Sequence, residues 1–456
     1  MSSPQLDPAK TGTPDPSRRV VITGRGVVSP LGNDPAELVQ VLREGKSGIR
    51  ELTSVPGNAL NVTHGGEAIS FTGAIDDYGP MEKKLQRTIK KSSKVMCREI
   101  EMGVAVAQLA LVDANLSSSQ INPDRVGVVY GCDYIMSLPQ EFAAAVEKCV
   151  TDGTFDFSVW GEQGKPQVNP LWLLKYLPNM PASHIAIFND LRGPNNSITV
   201  REASAGAALA EAYSMIVRGH ADALIVGSTG SRIHPLRTLH SVMQEPLSGP
   251  QDDHESMSRP FDESRSGSVV GEGAGALVLE TLEHAKARDA NILAELTGYG
   301  TSAVGPKQQT QAGEEPVDET FLQTAVENVL RSAIRGSDPS RVGHINAHGL
   351  STVQCDQQEA KAIASVFGES ASQPPVTTAK GHFGNLGAGG GMVEIIASLD
   401  SLGAELFPIR NLNALDSNCP INAVVESGTD AGDSFVSVNV TPQGQASAVM
   451  IDSYSS

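Results

Sequence analysis

The sequence predicts an α/β fold built of packed layers. Three observations point there. Short apolar runs that read as strands alternate with longer stretches that read as helices. Glycine is frequent (45 residues) while aromatic residues make up only 4% of the chain, which suits backbones that approach closely. The alternation also runs through once and then repeats. With 456 residues the chain can bury a large core, as one domain or as two or three smaller ones.

The first seventeen residues, MSSPQLDPAKTGTPDPS, carry no apolar core of a secretory leader and read as a disordered tail. RRVVITGRGVVSPLGN (18–33) reads as a buried strand and a Gly-rich turn, and Asp34 with Pro35 starts a helix over 35–45. A second helix fits 92–113 and a strand 125–132. Residues 150–180 read as an irregular insertion. The run Ile198, Thr199, Val200 is strand-like and meets an Ala-rich helix that opens at Glu202. Strands follow at 223–228 and 274–280, separated by a polar segment over 244–268. The second half offers a strand near 292–299, a helix over 318–335, HINAHG (344–349), a helix around 356–367, a Gly-rich turn at 381–391 with a helix after it, and two apolar runs at the end.

Composition narrows the partners. A formal net charge of −18 argues against nucleic acid and anionic membranes, and no run of 18 or more apolar residues suggests a membrane span. The five cysteines (97, 132, 149, 355, 419) are scattered and odd in number, so neither a disulfide framework nor a metal site is expected, and the cytoplasm is the expected compartment. Against the acidic background, Lys83, Arg87, Lys90, Lys94 and Arg98 follow at spacings of three or four. On one helix they would form a basic stripe, either a solvated face or a docking site for an acidic partner.

Six motifs in order carry a family resemblance: VVITGRGVVSPLGN, PNMPASHIAI (178–187), GPN (193–195), RPFDESRSGSVVGEGAGALVLE (259–280), NAHGLST (346–352) and NAVVES (422–427). Together they resemble the elongating β-ketoacyl-[acyl-carrier-protein] synthases of fatty-acid and polyketide synthesis, from about Arg18 to the C-terminus. The resemblance implies a thiolase fold: two similar βαβαβαββ halves, over 18–285 and 286–456, packed as five α-β-α-β-α layers. It also implies a dimer, an acyl carrier protein as partner, and no cofactor or metal.

In that family a cysteine thiolate at a helix N-terminus takes the acyl group, two histidines assist malonyl decarboxylation, and a lysine and an acidic residue hold them. Carried over by position, the first histidine is His348, with Asp356 and Glu359 following, and the lysine is Lys380. Asn385 stands where the second histidine belongs, and His382 nearby is out of register. The cysteine position falls on Glu202. VTPQGQAS (440–447) replaces the family's Gly-Phe-Gly-Gly-Thr-Asn loop. Moving an acyl group from a thioester to a carboxylate would give a mixed anhydride, which is uphill. Three readings stay open: a degenerate subunit resembling chain-length factors that pairs with an active synthase, an unusual acyl transferase or decarboxylase using Glu202, His348 and Asn385, and a non-catalytic acyl or carrier-protein binder. Glu202 itself is either a charge substitute for the thiolate or a plain helix-capping carboxylate. Cys355 and Cys132 read as packing residues.

Overall fold

The computed structural model describes residues 15, 17–116, 121–249, 253–306, 320–335 and 338–455. The tail expected over 1–17 lies outside them apart from Asp15 and Ser17.

The first half contributes strands β1 (Val20–Val28), β2 (Val126–Cys132), β3 (Asn195–Ile198), β4 (Ala223–Ser231) and β5 (Glu272–Thr281). The second contributes β6 (Ala294–Ala303), β7 (His344–Asn346), β8 (Val376–Thr377), β9 (Ser434–Val440) and β10 (Gln445–Ser453). Their order across the sheet is β3-β2-β4-β5-β1, then β6-β10-β9-β7-β8. Counted within its own half and read from its outer edge inward, each set runs third, second, fourth, fifth, first. The directions repeat as well. β2 runs parallel to β3 and β4, and β7 runs parallel to β8 and β9, while the remaining neighbours within each half are antiparallel. The halves are therefore two copies of one topology. They are joined where Val20–Ile22 of β1 pairs antiparallel with Ala294–Leu296 of β6.

The helices that matter here are α1 (Pro35–Arg43), α2 (Lys83–Ser92), α3 (Arg98–Asp113), α4 (Met180–Asn189), α5 (Ser204–Val217), α6 (Pro235–Gln244), α7 (Phe321–Ala333), α8 (Val353–Phe367) and α9 (Gly390–Leu399). Three apolar clusters show how they are layered. One joins α3 and α4 to the first half-sheet through Ile100, Val104, Ile185 and Val128. Another joins α7 and α8 to the second through Val326, Leu330, Ile363 and Val438. Between them, α5 and α9 pack with strands of both halves, through Leu209, Ile216, Met392, Val226 and Val449. Helix, sheet, helix, sheet, helix: the five layers are those the resemblance implies.

Small residues make the central layer possible. A Cβ on Gly206 of α5 would lie 2.5 Å from Ser447 Oγ, and one on Gly391 of α9 would lie 2.3 Å from Asn439 Oδ1. Any larger side chain at either place would push the central helices off the strands. At the edge of the fold, α1 starts as its sequence indicates, with the Asp34 carboxylate accepting from Ala36 N at 2.9 Å and Glu37 N at 3.1 Å.

Two expectations shift. The helix expected from 92 begins only at Arg98, because Ser93–Val95 tighten to a 3₁₀ turn and Met96 is extended. The strand-like run 198–200 ends at Ile198, since Val200 and Arg201 leave the sheet for a turn. No helix among the described residues is long and apolar enough to cross a membrane.

Candidate functional site

The turn between β3 and α5 sets the site. Arg201 has φ of 53°, in the left-handed region that costs a non-glycine residue ~1 kcal/mol or more. Arg201–Ala203 form one 3₁₀ turn, and the Ser204 hydroxyl ties it back by accepting from Val200 N at 3.0 Å. Glu202 is thereby driven inward, to 1% exposure.

The Glu202 carboxylate does not cap the helix. Its Oε1 accepts from Asn385 Nδ2 at 3.0 Å and from the Arg232 guanidinium, and Arg201 Nε lies 3.4 Å from its Oε2. Arg232, itself 1% exposed at the end of β4, also reaches Glu245 Oε2 at 2.6 Å, and Arg201 pairs with the other oxygen of Glu245. Two arginines and two glutamates thus form a closed, neutral tetrad in the protein interior. Burial alone would raise the Glu202 pKa. The charges of Arg232 and Arg201 outweigh that, with help from the Asn385 hydrogen bond, and hold it well below the usual carboxylate range.

The other carried-over positions also reach the centre. His348 follows β7, and its loop is held by Glu359, whose carboxylate accepts from His348 N at 2.5 Å and Gly349 N at 2.8 Å. The His348 Nδ1 lies 3.4 Å from Asn439 Nδ2, and its Nε2 has no partner among the described residues. Burial, then the Lys380 charge, press its pKa well below the ordinary value, so the ring is neutral near pH 7. Lys380 Nζ donates to both oxygens of Glu394, at 2.9 and 2.8 Å. Asp356 turns to different work: it accepts from Phe261 N at 2.9 Å and lies 3.4 Å from Arg265 Nε. Burial raises its pKa to about 6 and that of Glu359 to about 8.

Chemically, the cluster offers a carboxylate locked in its anionic form and one neutral imidazole. An acid held that far below its usual pKa is a poor base and a poor nucleophile. His382 brings no second imidazole, since its Nδ1 meets Lys46 O at 3.0 Å and its Nε2 meets Pro408 O at 3.3 Å. Nor do the two thiols singled out from the sequence supply a thiolate. Burial raises Cys355, on α8, to about 12, and raises Cys132, at the end of β2, well above its ordinary value. The segment 440–447 closes as a tight β9–β10 turn, where Gly444 N donates to Thr441 O at 2.9 Å. Gln443 in that turn accepts from the Arg201 guanidinium at 2.9 Å.

Sequence reasoning missed Arg232, Glu245 and Glu394. Two of them carried a signal: Glu394 is the lone charge in the apolar run GGMVEIIASL, and Arg232 directly follows the small-residue strand ALIVGSTGS. A charge in such a place requires a buried partner.

The basic stripe is shorter than expected. Lys83, Arg87 and Lys90 stand exposed on α2, and Lys94 is exposed on the 3₁₀ turn after it. Arg98 leaves the stripe. It opens α3, turns inward to Glu272 at 2.6 Å and donates to Phe71 O and Ala68 O.

A five-layered fold of two like halves, with a histidine loop, a buried lysine and the start of α5 brought together, defines a thiolase-type protein. The family follows from comparison. The chain belongs to the β-ketoacyl synthase family, whose N-terminal domain model matches residues 17–285 and whose C-terminal domain model matches residues 293–413. It is 31% identical over 436 residues to 3-oxoacyl-[acyl-carrier-protein] synthase 2 of Staphylococcus aureus (strain COL), covering 95% of this chain and 98% of that one. Among solved structures, a β-ketoacyl synthase from Burkholderia phymatum STM815 aligns with a TM-score of 0.79 and 25% identity, covering 96% of this chain and all of that one. The ishigamide ketosynthase/chain length factor shares the fold, with a TM-score of 0.77 at 23% identity over 96% of this chain and 100% of that one.

Proposed function

We propose that this chain is a non-condensing subunit of acyl-chain synthesis, of fatty-acid or polyketide type, that pairs in the cytoplasm with a synthase of the same fold bearing the cysteine. One observation carries this reading. The two replaced positions bond to each other, Asn385 to Glu202, and Arg232 completes the contact. The atoms that would receive an acyl group are spent on a structural ion pair.

Exposed apolar surface supports the pairing. Phe157 (72% exposed), Ile187 (69%) and Met243 (74%) lie on the 150–180 excursion, on α4 and at the end of α6, and β3 is an edge strand. A monomer exposes such features at a cost in solubility, and an interface covers them. The partner and the cytoplasmic setting rest on this and on the family; a homodimer is the competing arrangement.

The test is mass spectrometry and CO2 release after incubation with malonyl- and acyl-carrier protein. The folded protein alone is expected to form no acyl-enzyme and release no CO2, and mixing with the cysteine-bearing synthase is expected to yield a stable complex with altered product length. Turnover by the isolated chain, lost in Glu202→Ala, would overturn the reading.

Carrier docking on α2 makes a separate prediction. Replacing Lys83, Arg87 and Lys90 together by Glu is expected to weaken carrier binding roughly tenfold at low salt, with the difference shrinking as salt rises. Arg98→Glu is expected instead to lower the melting temperature, because it places a second carboxylate against buried Glu272.

A further inference from the structure

A cavity lies on the outer side of the first half-sheet, and no residue of the tetrad lines it. It is a cleft of about 630 Å³ between α2, α3 and the end of α4. Leu85, Leu111, Ile121 and Phe188 give it apolar walls, interspersed with polar side chains. That volume lies within the ~300–1,000 Å³ typical of small-molecule sites.

Two polar features define what it would hold. Gln108 of α3 lines the cleft at only 4% exposure, and its Nε2 has no hydrogen-bond partner among the described residues. A buried amide donor left unpaired is costly, and a ligand oxygen seated against it removes that cost. At the mouth, exposed Lys84 is also a lining residue, flanked along α2 by Lys83 and Arg87. Of the two acidic lining residues, Asp190 is already paired with Arg192 at 2.8 Å, and Glu82, exposed at the start of α2, is outnumbered by Lys83, Lys84 and Arg87.

We propose that this cleft binds an amphipathic carboxylate: an aliphatic chain whose anionic head lies at Lys84 and whose far end carries an oxygen that accepts from Gln108. The site is separate from the Glu202 cluster, which lies in the central layer on the other face of the same half-sheet. Its occupancy does not depend on whether the chain condenses, decarboxylates or only pairs.

Titration calorimetry on the full chain tests it, with decanoate and 10-hydroxydecanoate as probes. The hydroxy acid is expected to bind roughly fivefold more tightly, the difference one net hydrogen bond makes. Gln108→Leu keeps the shape, removes the unpaired donor and is expected to erase that ratio while the protein stays folded. Lys84→Glu is expected to weaken both acids, more at low salt than at high, and Leu111→Trp to abolish both by filling the cleft. No binding of either acid at millimolar concentration would overturn the proposal. So would a ratio unchanged in Gln108→Leu, or binding untouched by Leu111→Trp.

Discussion

Arg232→Ala is expected to destabilise the fold by about 3–5 kcal/mol, the effect of stranding a buried charge whose partner has gone. Glu202 loses its strongest partner in that variant while remaining 1% exposed, and Arg201 at 3.4 Å cannot replace a direct guanidinium contact. Glu202→Gln combined with Arg232→Met is expected to recover most of the loss, because it removes both charges and keeps the volume. Denaturant unfolding of the three proteins measures this.

The sign with pH follows from the same pair. The folded Glu202 pKa lies below its unfolded value, so its contribution is present above the unfolded value near 4.5 and is lost as pH falls through the folded one. In Arg232→Ala, burial acts with less opposition and raises the folded pKa. The stability deficit of the variant should therefore narrow as the buffer is taken from neutral pH toward pH 4. A deficit that stays constant over that range would mean that the arginine acts by packing alone.

The fold was largely legible because strands such as 126–132 and 274–279 are runs of apolar residues and glycine, and because Asp34-Pro35 announces a helix start chemically. What was not legible depended on tertiary contact. β3 and β8, four and two residues long, exist because the strands beside them supply hydrogen bonds, and their composition does not announce them. Arg98 shows the same limit: its spacing fits the basic stripe, but a break at Met96 and the buried Glu272 carboxylate redirect it. In the site, Glu202 and Asn385 were singled out from the sequence alone. Their bond to each other and to Arg232 could not, because Arg232 and Asn385 are 30 and 183 positions from Glu202. Identity at a position is a local property, whereas a charge balance belongs to the folded interior.

That balance predicts what a cysteine at position 202 would do. In Glu202→Cys, the introduced thiol sits at the start of α5 beside Arg232 and Arg201, with Glu245 as the one remaining acid of the tetrad. A thiolate restores the lost negative charge, so the thiol should ionise well below the usual ~8.5, visible as thiolate absorbance at neutral pH. Acyl transfer from an acyl-carrier thioester is then expected at a low rate, read as a mass increase on the protein. Decarboxylation of malonyl-carrier needs more, since Asn385 supplies one amide donor where the family uses an imidazole. Adding Asn385→His to Glu202→Cys should raise labelled CO2 release by about 10²-fold, the scale set by losing or gaining one well-placed donor or proton-transfer group. Equal release from the single and double variants would show that His348 alone suffices and that an imidazole at 385 adds nothing.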